Sequence, residues 1–270
     1  MTNDSNSLPP SSAPYGGSAE PPKSMIARVA MILTAFQNND DLIGVSQLSR
    51  RTGLPKASVS RITKELVVHD FLERRDDKVR LGLKFFELGA KTRRPKNLRR
   101  LAIATLADLR RTTGHTIHLA VLEGREVVYI EILQGRDGIR LPSTIGGRYP
   151  AHATGVGKAI LAHCSEEQLK EYLKSPLESV GPCTITKPAE LRIELEAVRV
   201  NGVAYERQES GVRICCAASP IFGATGVPIA GVSISGPMDT IDLARVAPAV
   251  QAATLGLNRQ IRMNPQLNNL

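Results

Sequence analysis

Cysteine is scarce in this chain and poorly spaced for cross-links or metal. Cys164, Cys183, Cys215 and Cys216 include no C-x-x-C pair, and a disulfide framework is not expected at this length without a secretory signal. No apolar h-region occurs near the N-terminus, so no signal peptide is read and the expected location is cytoplasmic. The four Cys and five His are scattered without ligand spacing, which argues against zinc, and no cofactor is invoked. Ile214 to Met238 lacks any charged residue and is long enough to span a bilayer. Pro220, Gly223, Gly226, Pro228 and Gly231 interrupt it, so it reads as two buried strands joined at Gly223-Ala224-Thr225-Gly226. A nucleophile is also missing. Cys215 or Cys216 with His118, His152 or His163 would be the candidates, but the cysteines lie in an apolar stretch with no neighbour that would lower a thiol pKa. The chain is not read as an enzyme.

What the chain does have is positive charge, and all of the excess is in its first half. Its 270 residues suffice for two domains. The formal net charge is +9; residues 24–114 carry 19 Lys/Arg against 9 Asp/Glu, whereas 115–270 carry 15 of each. A local basic excess is the footprint of a polyanion-binding module, with a solvated basic surface as the plain alternative. Residues 1–23 are rich in Ser, Pro, Asn and Gly and are read as a disordered tail.

Structure is expected from Ser24, a good N-cap, with Ile26, Val29, Ala30, Leu33 and Phe36 following at helical spacing. The run from Val45 to Leu66 then reads as two short helices. Ser46 is placed as the cap of the first, which ends at Gly53; the second begins near Pro55 and buries Val59, Ile62 and Leu66. Two short helices joined through Gly make a helix-turn-helix, or a helical hairpin of some other fold. A β-hairpin follows, Phe71–Arg75 and Val79–Leu81 around Asp76-Asp77-Lys78, where a wing belongs. Leu83 to Gly89 suggests a further helix, Lys91 to Lys96 a basic linker broken by Pro95, and Asn97 to Thr113 a linker helix. After Gly114 the apolar period becomes 2. Residues 116–122 and 127–133 form a hairpin; helices are expected at 155–163, 166–174, 188–201 and 241–261, and strands at 203–206, 214–218 and 228–235. The C-terminal part is therefore α+β on an antiparallel sheet. The expected domains are 24–90, a linker helix region at 91–113, 114–262, and a tail at 263–270.

The order of several short motifs resembles the IclR family of bacterial transcription regulators. They are Leu48-Ser49-Arg50-Arg51-Thr52-Gly53-Leu54-Pro55-Lys56, Val59-Ser60-Arg61, Arg80-Leu81-Gly82-Leu83 with Glu87-Leu88-Gly89, and Thr113-Gly114-His115-Thr116. In the second half come Ala151-His152-Ala153-Thr154-Gly155-Val156-Gly157-Lys158-Ala159, Gly211-Val212-Arg213 and Val232-Ser233-Ile234-Ser235-Gly236-Pro237. The resemblance covers about residues 24–262. It implies a winged helix-turn-helix, a linker helix and a GAF-like effector-binding domain, assembled as a homodimer or a dimer of dimers. Gly211 to Pro220 is about two residues longer than the family pattern, and Glu206 stands where Asp is commoner.

On this reading the second helix enters the major groove of operator DNA. Lys56, Ala57, Ser58, Ser60, Arg61 and Lys64 are its candidate contacts, with Ser46 beside them and Arg74, Arg75 and Lys78 on the wing. For the effector, His152, Thr154, Gly155 and Val156 open a helix whose amides suit a carboxylate. Ser233 and Ser235 share one strand face, Ile139 and Leu141 supply an apolar wall, and the resemblance adds Glu206 and Cys216. The expected effector is a small organic acid, hydroxylated, keto or aromatic, governing a catabolic operon. The alternative is a non-specific architectural DNA binder, which would not need a large charge-neutral second half.

Overall fold

The computed structural model describes residues 22, 24–37, 42–136, 141 and 143–264, without the side chains of Arg93 and Arg94. The expected disordered tail, apart from Pro22, and the last six residues of the expected C-terminal tail lie outside the described residues. The chain divides into two compact units between Arg93 and Arg94.

The N-terminal unit holds α1 (Met25–Thr34), β1 (Ile43–Gly44), α2 (Val45–Thr52), α3 (Lys56–Val68), β2 (Leu72–Arg75), β3 (Lys78–Leu81) and α4 (Lys84–Gly89). Ser24 caps α1 by accepting from the Ala27 amide. Gly53 ends α2 at φ +68°, a conformation that costs a side-chain-bearing residue energy. Hydroxyls lock the turn that follows: Ser49 donates to the Leu54 carbonyl at 2.7 Å, and Thr52 Oγ1 donates to the Leu48 carbonyl while accepting from the Leu54 amide. Ile32, Leu48, Leu54, Val59, Ile62 and Leu66 pack into one core with Leu72 and Val79 of the wing.

One local expectation for this unit is corrected. Ser46 does not cap α2. The helix starts at Val45 with Gly44 in the cap position and no side-chain cap bond. Ile43 and Gly44 pair with Val79 and Lys78 as a third wing strand, so the chain passes directly from strand to helix and Ser46 falls inside the first turn. Pro55 occupies the N-cap of α3, one place ahead of the helix.

The C-terminal unit begins with α5 (Arg93–Thr113), of which Arg93 falls on the other side of the division. The sequence suggested a break at Pro95 and a helix starting near Asn97. Instead α5 runs through Pro95, which stands in the first turn, where amide groups have no intrahelical acceptor and the missing N–H removes no bond. Then come β4 (Thr116–Glu123), β5 (Glu126–Leu133), β6 (Arg148–Pro150), a 3-10 turn (Ala151–Ala153), α6 (Gly155–Leu161), α7 (Glu166–Tyr172), α8 (Pro188–Asn201), β7 (Ala204–Arg207), β8 (Ile214–Phe222), β9 (Pro228–Pro237) and α9 (Leu243–Met263). The six strands form one antiparallel sheet in the order β6-β5-β4-β9-β8-β7. The charge-free stretch from Ile214 is the β8–β9 hairpin, two inner strands of this sheet, and no described helix is long and apolar enough to cross a membrane.

Helices cover both faces of this sheet. On one, Leu98, Leu106, Val250, Leu257 and Ile261 of α5 and α9 pack on Ile117, Leu119, Cys215, Ala217, Val232 and Ile234. On the other, Val156, Ala159, Leu169, Leu191 and Leu195 of α6, α7 and α8 pack on Ala120, Val127, Ala204 and Ala218. The period-2 alternation of the strands sorts their residues between these layers. It sends Cys215 to the α5/α9 face and Cys216 to the α6 face. The helix expected as a linker thus contributes four buried residues, Leu98, Ala102, Leu106 and Leu109, to the core of this unit.

Candidate DNA interface and ligand pocket

In α3 the buried stripe of Val59, Ile62, Thr63 and Leu66 turns the rest of the helix outward. Lys56, Ala57, Arg61 and Lys64 are exposed, and Ser58 and Ser60 are half-buried; Ser46 is exposed on α2. The wing exposes Arg74, Arg75 and Lys78, with Arg75 opposite Lys78 beside the turn, where Asp76 has φ +53°. The side chains of Lys56, Arg61, Lys64, Arg74 and Lys78 make no hydrogen bond or ion pair among the described residues. Arg80 on the same wing differs: its Nε donates to Glu73 at 2.8 Å, and this partner holds the Glu73 carboxyl below its ordinary pKa. The unpaired cations are the ones left for an external anion.

The second site is a cavity on the α6 face of the large sheet. Leu141, Thr154, Gly155, Val156, Glu206, Cys216, Ser233 and Ser235 all line it, as do His118, Tyr129, Ser143, Tyr149, Ser210 and Ile214. The free space is about 30 Å³, room for about one or two waters, so a larger ligand requires the walls to part. A wider hollow of about 290 Å³ lies by the β8–β9 turn, against Phe222, Gly223, Asn258 and Arg262. The smaller cavity is the one where buried polar groups converge.

Of the expected pocket residues that the structure describes, one, His152, does not line the cavity. Ile139 lies outside the described residues. His152 is buried, 2% exposed. Its Nδ1 is 3.0 Å from the Tyr172 hydroxyl and its Nε2 3.0 Å from the Glu178 carbonyl, and burial lowers its pKa. It ties the 3-10 turn to α7 and the loop beyond. The start of α6 is also less open than its sequence implies. Thr154 Oγ1 accepts from the Gly157 amide at 3.1 Å, and Gly155 packs against Cys216. A Cβ on Gly155 would lie 2.4 Å from Cys216 Sγ, so glycine there lets the helix sit directly on β8.

The polar wall is a hydrogen-bonded cluster on β4 and β9. His118 pairs with Ser233 across the sheet, and Thr116 with Ser235. His118 Nδ1 is 3.1 Å from Ser235 Oγ and 3.3 Å from Ser233 Oγ, the two serines are 3.1 Å apart, and Nε2 is 2.7 Å from Ser143 Oγ. Burial lowers the His118 pKa to about 4, so the ring is neutral. Opposite stands Glu206. Its Oε1 accepts from the amides of Glu209 and Ser210 and from the Ser210 hydroxyl; no hydrogen bond among the described residues reaches Oε2. Burial raises its pKa to about 7 against those donors. Burial likewise raises the Tyr129 hydroxyl and the Cys216 thiol. His118, Tyr129, Ser143, Tyr149, Ser210 and Ile214 carried no motif signal. Only the register that sets His118 beside Ser233 exposes the first of them.

A winged helix-turn-helix with unpaired cations and a second unit closed around a polar cavity define a class: a DNA-binding regulator carrying a ligand-sensing domain. Residues 91–261 match the bacterial transcriptional regulator IclR C-terminal family, and residues 25–76 the IclR helix-turn-helix domain. The chain belongs to the IclR family of transcription regulators, which bind DNA and carry an effector-binding C-terminal domain. It is 31% identical over 242 residues to the HTH-type transcriptional regulator XynR of Escherichia coli, covering 87% of this chain and 96% of that protein. To KdgR of Dickeya chrysanthemi it is 35% identical over 217 residues, covering 79% and 71%. Among solved structures, an IclR homolog from Microbacterium hydrocarbonoxydans complexed with 4-hydroxybenzoate superposes with a TM-score of 0.81 at 30% identity, covering 89% of this chain and all of that one. The Thermotoga maritima IclR superposes with a TM-score of 0.72 at 30% identity, covering 88% and 98%.

Proposed function

We propose that this protein is a cytoplasmic regulator of a catabolic operon, acting as a repressor or an activator, whose hold on operator DNA responds to a small organic acid. Residues 24–90 serve as the DNA-binding domain, α5 as the connection and 114–262 as the sensor. In α3, Lys56, Ser58, Ser60 and Arg61 face base edges while Lys64 and the wing residues Arg74, Arg75 and Lys78 meet phosphates, with Ala57 and Ser46 alongside. One such module makes too little contact for specific binding, so a homodimer or tetramer on paired half-sites is proposed.

The observation that carries the ligand reading is the cavity itself: Ser233, Ser235 and His118 on one wall face Glu206 on the other, with Leu141 and Val156 as apolar surface. The likeness to a homolog holding 4-hydroxybenzoate supports the same ligand class. Glu206 is protonated below about pH 7, so it meets an oxygen substituent without repelling the acid. A hydroxylated or keto acid, aliphatic or aromatic, satisfies both walls. A thermal-shift screen of such acids identifies the ligand, since one that binds only the folded protein raises its melting temperature. The double variant Ser233→Ala, Ser235→Ala should then abolish the ligand's effect on DNA binding and leave DNA binding itself intact. A wild-type response from that variant would put the ligand elsewhere.

A further inference from the structure

We infer that the sensor cavity takes a monocarboxylic acid together with one proton, the carboxyl group lying against His118; this deepens the organic-acid reading above and rests on it. Among the described residues, no lysine or arginine lines the cavity. The buried cation nearest to it in sequence, Lys158 of α6, is already paired, with Nζ 2.8 Å from Glu194 and 2.7 Å from Glu209. At the start of α6 the Gly157 amide is taken by Thr154, and Gly155 packs against Cys216. Among the described residues an entering carboxylate therefore meets no unpaired fixed positive charge, and a buried charge without a partner is relieved by gaining a proton.

His118 is built to share that proton. Among the described residues, every partner of its two ring nitrogens is a hydroxyl, on Ser143, Ser233 and Ser235. A hydroxyl rotates to accept as readily as to donate. The ring can therefore pass from one N–H to two while its hydrogen bonds are kept, merely reversed. Among the described residues, the titratable groups that face it are Tyr129 on β5, with ring centroids 5.0 Å apart, and Tyr149 on β6, Glu206 on β7 and Cys216 on β8. Burial keeps both phenols and the thiol neutral, and Glu206 is neutral below about pH 7. None of them supplies a competing anion at pH 6. Burial alone holds His118 neutral, and a ligand carboxylate reverses that balance. The net species bound is uncharged. A dicarboxylate would require a second proton, and a neutral amide isostere none.

The test is titration calorimetry on the full-length protein at pH 6, in buffers of different ionisation enthalpy. The probes are 4-hydroxybenzoate, pyruvate as a small keto acid, and 4-hydroxybenzamide. At this pH free His118 is neutral and the free acids are ionised. An acid that binds should take up about one proton per site, and its affinity should fall about tenfold per pH unit as the pH is raised from 6. The benzamide should bind with no uptake, and His118→Gln should abolish uptake by the acids. The benzamide comparison needs no variant and stands even if His118→Gln folds poorly. Saturable binding of an acid without proton uptake overturns this inference and leaves the organic-acid reading intact. Binding of the benzamide but of neither acid overturns both, as does binding of none of the three.

Discussion

Replacing Lys158 with Met should destabilise the C-terminal unit more than any surface change, and most at high pH. Lys158 is 1% exposed, and its two carboxylate partners differ: the Glu209 side chain is 8% exposed and that of Glu194 32%. Glu194 can turn to water, but Glu209 cannot. Its Oε1 loses the ammonium at 2.7 Å, and its Oε2 is already buried without a hydrogen-bond partner. Met keeps the aliphatic volume, so the loss is electrostatic. Removing one partner of a buried ion pair costs about 3–5 kcal/mol, which for a unit of this size lowers the melting temperature by roughly 6–20 °C. The pH dependence follows from Glu209. Burial raises its pKa while Lys158 pulls it back. Without Lys158 its folded pKa rises further above the unfolded value. The folded state then binds more protons than the unfolded one, so stability is greatest at low pH and is lost as pH rises through the folded pKa. Thermal melts of the full chain followed by circular dichroism should show a larger deficit at pH 8 than at pH 5.5, and Lys158→Met with Glu209→Gln should recover much of it. A deficit under about 1 kcal/mol, or one equal at both pH values, would refute the reasoning.

Three further outcomes are expected. Arg61→Ala should weaken operator binding by about 1–3 kcal/mol in a mobility-shift assay at fixed salt, with no change in melting, because Arg61 is exposed and off the buried stripe; wild-type affinity would displace α3 from the groove. Neutralising Arg74, Arg75 and Lys78 together should weaken binding to all DNA sequences alike and lower the slope of log affinity against log salt by about 1 for each phosphate no longer neutralised, so an unchanged slope would remove the wing from the interface. Light scattering at micromolar concentration should give a dimer or tetramer, and a monomer with and without DNA would contradict paired half-site binding.

Much of the fold was legible because its signals are local. Gly53 ends α2 and Gly202 ends α8 at positive φ, Ser24 caps α1, and the 3.6 and 2.0 periods separate helices from strands. The misreadings also have local causes. Ser46 was a plausible cap until β1 paired with β3 and fixed where α2 begins. Pro95 looked like a break because a sequence does not say whether a proline stands in the first turn or the third. The strands β1 and β6, two and three residues long, carry no periodicity at all.

The sequence by itself determined the class of molecule: a basic helix-turn-helix with a wing ahead of a charge-neutral α+β domain. It also determined that Ser233 and Ser235 share a face, because strand alternation is a property of the backbone. The tertiary structure alone decided what that face meets. His118 lies 115 residues from Ser233 in sequence and becomes its cross-strand neighbour through the β4–β9 register. Tyr129, Tyr149 and Glu206 reach the same cavity from three further strands. The same packing withdrew His152 from the pocket by satisfying both of its ring nitrogens. Ionisation was settled there too, since Glu206 and His118 owe their shifted pKa values chiefly to burial, and burial is produced by the packing of segments distant in the chain.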